Sequence, residues 1–276
     1  MTISVNTNPS ALQALQNLNA TNRQLEQTQT HINTGLRVSG AKDNGAVYAI
    51  AQNLRSDVAG LTAVTQSLDR GISSVTTALA AGESISNLLN DMKAKAAAAS
   101  DKGLDAASRA ALDNEFISLR DQITTIVKNA DFNGTNMIKN TGDKIAALAN
   151  PNGTQTINVS AEDLSLTGST VALSASTTLG GTPTSASSVL ALIETSITNV
   201  NAALGRLGTG QKSLETHKTF ISKLSDTIET GIGNLVDADL AKESAKLQAL
   251  QVKQQLGVQA LSIANQSPQS ILQLFR

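Results

Sequence analysis

The chain has 276 residues, a net charge of -1 and 40% hydrophobic residues, which suits one large or two ordinary domains and excludes compositional disorder. Aromatics amount to only 2%, with no Trp and one Tyr, so any core is built from Ala, Leu, Ile and Val, a palette that favours long helices packed side by side over a rounded core around an aromatic-lined pocket. The near-neutral charge, without a run of Lys or Arg, excludes the electrostatic footprint of a nucleic-acid binder, and the absence of cysteine excludes disulfides, thiolate metal sites and cysteine nucleophiles.

The opening residues, MTISVNTNPSALQALQNL, show no basic n-region and no long apolar h-region. No window approaches the roughly 18 apolar residues of a spanning helix, so membrane insertion is not expected and any export would use no cleaved signal peptide. A helix is predicted from Pro9 onward. Ala11, Leu15, Leu18, Asn22, Leu25, Gln29, Ile32 and Leu36 alternate spacings of four and three and fall on one stripe, in which Asn22 and Gln29 are polar seam residues of the kind that fix register.

Residues 34–45, TGLRVSGAKDNG, interrupt that stripe with Gly35, Gly40 and Gly45. The pattern resumes in Leu54, Leu61, Leu68 and Val75, with Val58, Ile72 and Leu79 between them, and continues to Leu89 and Met92 as a long coiled-coil helix. Ser100-Asp101-Lys102-Gly103 breaks it, and Leu112, Phe116, Leu119, Ile123 and Ile126 mark a shorter helix. Asp131-Phe132-Asn133-Gly134 is a turn signal; Thr156 to Val159, Leu164 to Leu166 and Val171 to Ser174 alternate like strands, and Thr177 to Ser188 reads as an exposed loop.

The second half carries the most regular signal, with Val200, Leu207, Leu214, Ile221, Ile228 and Leu235 on one seven-residue lattice and Ile197, Leu204, Gln211, Lys218, Ser225 and Ile232 beside it. The lattice meets Lys242 next, so the seam changes phase across Val236 to Asp239, the mark of a boundary between two packing environments. In the last helix Leu240, Leu247, Leu250 and Leu261 form one stripe, and Ala245, Ala249, Val252, Leu256, Ala260 and Ile263 form a second. One partner helix within the chain cannot cover both, which points to self-association.

Chemistry is sparse. Gly35 and Gly40 have the spacing of a phosphate loop, but Ala41 stands where its lysine belongs, Asp43 where its Ser or Thr belongs, and a helix precedes it where a strand is required. The segment therefore reads as a joint. His31 and His217 lack ligand-spaced partners and read as solvated residues on coil flanks, and Asp237 and Asp239 as helix-start residues. No catalytic group, cofactor or metal is expected.

The stretches TGLRVSGAKDNGAVYAIAQNLRSDVAGLTAVTQSLDRGIS, DFNGTNMI and IGNLVDADLAKESAKLQALQVKQQLGVQALSIANQSPQSILQLFR resemble those of bacterial flagellins, over most of the chain except roughly residues 142–190. The resemblance implies a secreted, non-enzymatic structural subunit that polymerises into the extracellular filament used for swimming, with a hook-filament junction protein as the alternative. It implies a mainly α fold of long antiparallel coiled-coil helices with paired N- and C-terminal halves. Residues 1–45 with 237–276 would form the inner, channel-lining domain, and 46–236 an outer helical bundle with a small β segment at about 131–185. The implied partners are further copies, sibling flagellins, the flagellar export apparatus and a chaperone, and the junction and cap proteins. The expected self-assembly residues are Leu18, Leu25 and Ile32 in the first helix and Leu240, Leu247, Leu250, Leu256 and Leu261 in the last. Arg37, Lys42 and Asp43 are expected to be available to neighbouring subunits, and Leu250 to pack in the polymer rather than within the chain.

Overall fold

A computed structural model describes residues 7–274. In chain order the elements are α1 (Pro9–Thr34), α2 (Gly45–Ala99), α3 (Ala106–Asn129), β1 (Ile145–Leu148), β2 (Thr156–Val159), α4 (Pro183–Val236) and α5 (Leu240–Leu274). The fold is mainly helical, as expected, with one small two-stranded antiparallel sheet. Packing divides it into two compact units, one made of the chain ends up to Ser56 and from Thr227 onward, the other of Asp57–Asp226.

The helix boundaries follow from local chemistry. Asn8 caps α1 by accepting from the Ala11 amide, with Pro9 in the first turn, and Gly35 ends it at φ 71°, a left-handed conformation that glycine adopts without strain. Asp105 caps α3 through the Ser108 amide. Asp239 caps α5 by accepting from the Ala241 and Lys242 amides, the helix-start role expected of it. Between α2 and α3 the buried guanidinium of Arg109 donates to the carbonyls of Ala99, Asp101 and Leu104, satisfying chain-turn acceptors that no helix covers.

In the Asp57–Asp226 unit α2 and α4 run antiparallel, as Lys93 with Glu194, Ser86 with Asn201 and Asp69 with Lys218 show. The buried line of α4 is Ala186, Ile193, Val200, Leu207, Leu214 and Ile221 at every seventh residue. The predicted companion line from Ile197 to Ser225 is only half-buried. Its place is taken on the other flank by Val189, Ser196, Ala203 and Gly210, where small residues admit close neighbours. A Cβ built on Gly210 would lie 2.6 Å from Val159 Cγ1, so strand β2 rests directly on the α4 backbone. In α2 the buried lines are Leu61, Leu68, Val75, Leu89 and Ala96, and Val64, Ala78, Ile85, Met92 and Ala99; Val58, Ile72 and Leu79 lie half-exposed at the flanks.

The β segment differs from expectation in three ways. Strand β1, which reads as Ile-Ala-Ala-Leu, pairs with β2 from Ile145↔Val159 to Leu148↔Thr156, held by the Ser67 hydroxyl, which accepts from the Leu148 amide, and by His217 Nε2, which donates to the Ala149 carbonyl. Residues 164–166 and 171–174 bury Leu164, Leu166, Val171 and Leu173 but form no ladder beyond one Leu166↔Val171 bridge. Their backbone groups go elsewhere: the Leu164 amide donates to the Ile138 carbonyl and the Ala172 amide to the Ser196 hydroxyl. Thr177 to Ser188 is not an exposed loop, because Leu179 is buried, the Arg120 guanidinium donates to the Thr177 carbonyl, and α4 begins at Pro183. The Asp131–Gly134 turn forms as predicted, closed by the Gly134 amide donating to Asp131.

Candidate functional site

The chain ends build the site. Helices α1 and α5 pack antiparallel: the Asn8 amide donates to the Ala264 carbonyl, Gln254 donates to the Asn22 amide oxygen, and His31 donates to Glu243. The seam on α1 is shifted from the predicted stripe. Leu18, Leu25 and Ile32 keep their places, half-buried, but Thr21, Thr28 and His31 are the buried residues, while Leu15 and Gln29 are exposed and Asn22 lies exposed at the rim, where Gln254 reaches it. Opposite them lie Glu243, Leu247, Leu250, Gln254, Gly257 and Leu261, and Leu250 is buried. Leu250 therefore packs within the chain, contrary to expectation, because seven-residue steps place it on the same line as Gly257, whose built Cβ would lie 3.2 Å from Leu18 Cδ1.

His31 is not the solvated residue its isolation suggests: it is 5% exposed, with Nδ1 at 3.3 Å from Glu243 Oε1. Burial pushes the Glu243 carboxyl up, but the hydrogen bond from His31 and the nearby Lys246 ammonium outweigh it, leaving the group below its ordinary range. His217 likewise is half-buried and structural.

The predicted second stripe of α5 is left uncovered. Val252 is 55% exposed, Leu256 and Ile263 64% each, and the helical period puts all three on the side facing away from the seam. Leu240, another predicted site residue, is 49% exposed, and Val258, Leu12, Leu15 and Ile50 add further exposed apolar surface in the same unit. Val258, Ile50 and Leu12 lie outside the stripes read from the sequence.

The glycine segment is pinned to the α4–α5 junction. The amides of Arg37 and Val38 donate to the Val236 carbonyl, the Ala238 amide donates to the Gly35 carbonyl, and Leu36 bridges Asp237. Val38, Ala51 and Val236 form a small core there with Leu36, Val47, Tyr48, Ile232 and Leu235 packed against it. The phase change read at Val236 to Asp239 and the interruption at Gly35 are thus one structural joint. Arg37 is exposed and donates to the Leu235 carbonyl, and Lys42 is exposed. Asp43 is also exposed, but its carboxylate accepts from the hydroxyl and amide of Ser39 and the amide of Gly40, bonds that hold it below the usual carboxylate range. These bonds fold the segment onto itself, with a carboxylate at the position where a phosphate loop would need a hydroxyl.

The chain is thus a protein of long helices whose two chain-end members pair and leave apolar side chains of α5 exposed, an architecture of the helical structural-subunit class. Residues 5–143 match the sequence profile of the bacterial flagellin N-terminal helical region, and residues 190–275 that of the C-terminal helical region. Over 273 residues the chain is 51% identical to flagellin FljM of Caulobacter vibrioides, covering 99% of this chain and 98% of that protein, and 50% identical to flagellin FljK of the same organism with the same coverage. The crystal structure of Bacillus cereus flagellin superposes with a TM-score of 0.50 at 25% identity, over 56% of this chain and 88% of that one. The chain belongs to the bacterial flagellin family, and is a structural subunit of the flagellar filament.

Proposed function

We propose that this flagellin joins the filament through the face of α5 that its own chain leaves uncovered, with Leu256, Ile263 and Val252 at its centre, and that the exposed Leu240, on a separate flank at the helix start, adds to the contact. The observation that supports this is the pair of 64% exposed side chains, Leu256 and Ile263, on a helix whose opposite side is already packed on α1. Apolar surface of this kind is stabilised by burial at about 25 cal/mol per Å², so a neighbouring copy is the natural cover. Leu18, Leu25, Ile32, Leu247, Leu250 and Leu261 act one step earlier, by building the helix pair that presents this face. Arg37 and Lys42 are the exposed cations of the joint that neighbouring subunits would meet. Residues 1–45 with 237–276 form the polymerising, channel-lining part and 46–236 the outer part.

The chain is non-enzymatic, is exported by the flagellar apparatus with a chaperone, and works outside the cell among further copies and sibling flagellins, next to the junction and cap proteins. Removal of residues 237–276 tests the assembly reading: the shortened chain is expected to stay soluble and helical and to add to no filament. Normal filaments from it would reject the reading.

A further inference from the structure

Three asparagines in the chain precede a glycine: Asn44, Asn133 and Asn152. The pair is chemically distinctive, because glycine has no side chain to keep its own backbone nitrogen away from the side-chain carbonyl carbon of the asparagine before it. Asn133 and Asn152 lie in the same Asp57–Asp226 unit, both are exposed, and both open the same tripeptide, Asn133-Gly134-Thr135 and Asn152-Gly153-Thr154. Sequence alone therefore gives them nearly the same reactivity, and a difference between them in the folded chain comes from the structure.

The two turns hold the pair differently. Asn133 and Gly134 are the central residues of a tight hairpin turn, at φ 54° and 81°, flanked by reciprocal 3.0 Å bonds between the backbones of Phe132 and Thr135. The Gly134 amide also donates to the Asp131 carboxylate at 2.8 Å. That bond holds the nitrogen in place, and the negative charge beside it opposes loss of its proton. Asn152 follows Pro151 in a turn closed by one bond between neutral groups, from the Gly153 amide to the Asn150 carbonyl at 3.1 Å. The bonds from the Thr154 and Gln155 amides to Asn150 Oδ1 restrain the chain beyond the pair. Neither Asn133 nor Asn152 has a side-chain hydrogen bond among the described residues, so the contrast lies in the backbone.

We propose that Asn152 is a self-modification site, the asparagine of this unit that converts to aspartate and isoaspartate, while Asn133 is protected by its turn. The Gly153 nitrogen loses its proton and attacks Asn152 Cγ, the bond from Cγ to the side-chain nitrogen breaks, and ammonia leaves carrying that proton. Water then opens the five-membered ring at either carbonyl, so the net change is one water consumed and one ammonia released, with no redox step. The product adds a negative charge to a chain of net charge -1. In the isoaspartate form the backbone also gains a methylene beside Pro151, whose Cβ lies 2.5 Å from a Cβ built on Gly60 of α2. The modification thus loosens the tip of the β1–β2 hairpin where it rests on that helix, and its extent records how long a subunit has existed. The site is independent of how the chain ends pack and of the assembly reading.

The test is a timed incubation of the full chain at neutral and mildly alkaline pH, followed by tryptic mapping with mass spectrometry. Cleavage after Lys128, Lys139 and Lys144 puts Asn133 and Asn152 on separate peptides. In the folded chain Asn152 is expected to convert about tenfold or more faster than Asn133, the factor that a charge-assisted hydrogen bond supplies, and faster as pH rises. In the chain held in denaturant the two are expected to react at similar rates. Asp131→Ala is expected to raise conversion at Asn133 toward that at Asn152, and Asn152→Gln to abolish the signal at that position. Equal or faster conversion of Asn133 in the folded chain would overturn the proposal. So would aspartate at 152 without isoaspartate, which would mean direct hydrolysis, or an Asn133 rate that Asp131→Ala leaves unchanged.

Discussion

Truncating two leucines of α5, one on each side of the helix, separates packing within the chain from packing between chains. Leu250 is 6% exposed against α1, so Leu250→Ala removes about three buried carbon groups at about 0.8 kcal/mol each and leaves a partly collapsible gap. The seam is a single helix pair that can relax, which puts the cost at about 2 to 3 kcal/mol, the low end for such changes. Leu256 is 64% exposed, so Leu256→Ala changes the isolated chain by no more than about 0.5 kcal/mol. Thermal unfolding of the full chain followed by circular dichroism, with limited proteolysis of the two ends, measures the first effect; seeded filament growth measures the second. Leu250→Ala is expected to loosen the chain ends, and Leu256→Ala to slow growth while leaving the melt unchanged. A Leu250→Ala chain as stable as its parent, or a Leu256→Ala chain as unstable as Leu250→Ala, would refute the division of α5 into an inner and an outer side.

Three further outcomes follow from individual contacts. Because the folded-state Glu243 carboxyl lies below its unfolded value, its contribution to the α1–α5 pair is present above the ordinary carboxylate range and is lost as pH falls through the lowered value; a pH series of melts is expected to show this acid loss, and Glu243→Gln to flatten it. Arg109→Ala leaves the carbonyls of Ala99, Asp101 and Leu104 without their buried charged donor, and is expected to cost about 2 to 3 kcal/mol by chemical denaturation, with little recovery in Arg109→Lys, which lacks the forked donors. Gly210→Ala places a Cβ 2.6 Å from Val159 and is expected to destabilise by about 1 to 3 kcal/mol, seen as faster hydrogen exchange in the β1–β2 hairpin.

What the sequence revealed and what it concealed divide along side-chain size and polarity. The line from Val200 to Ile221 was legible because large apolar residues recur at every seventh place and all are buried. Its companion line was misplaced because Ser196, Ala203 and Gly210 carry almost no hydrophobic signal, although they are where neighbouring elements come closest. The α1 seam was displaced for the same reason: Thr21, Thr28 and His31 are polar by type and buried by position. Strand β1 was hidden because Ile-Ala-Ala-Leu favours a helix in isolation and is extended only through its pairing with β2 and the Ser67 hydroxyl. The second apolar stripe of α5 was legible in the sequence, and among the described residues its large members Val252, Leu256 and Ile263 are all exposed. The assignment of Leu250 to the polymer failed because a stripe shows that two faces need cover and not which partner covers which.

The central claim is that the filament grows by covering that face. Its most direct measurement is elongation from filament seeds by the full chain carrying Leu256→Asn and Ile263→Asn, with the helicity of the free chain recorded beside it. The account predicts unchanged helicity and elongation reduced to near zero, since both polar side chains would have to be buried without partners. Elongation at the rate of the unaltered chain would contradict it.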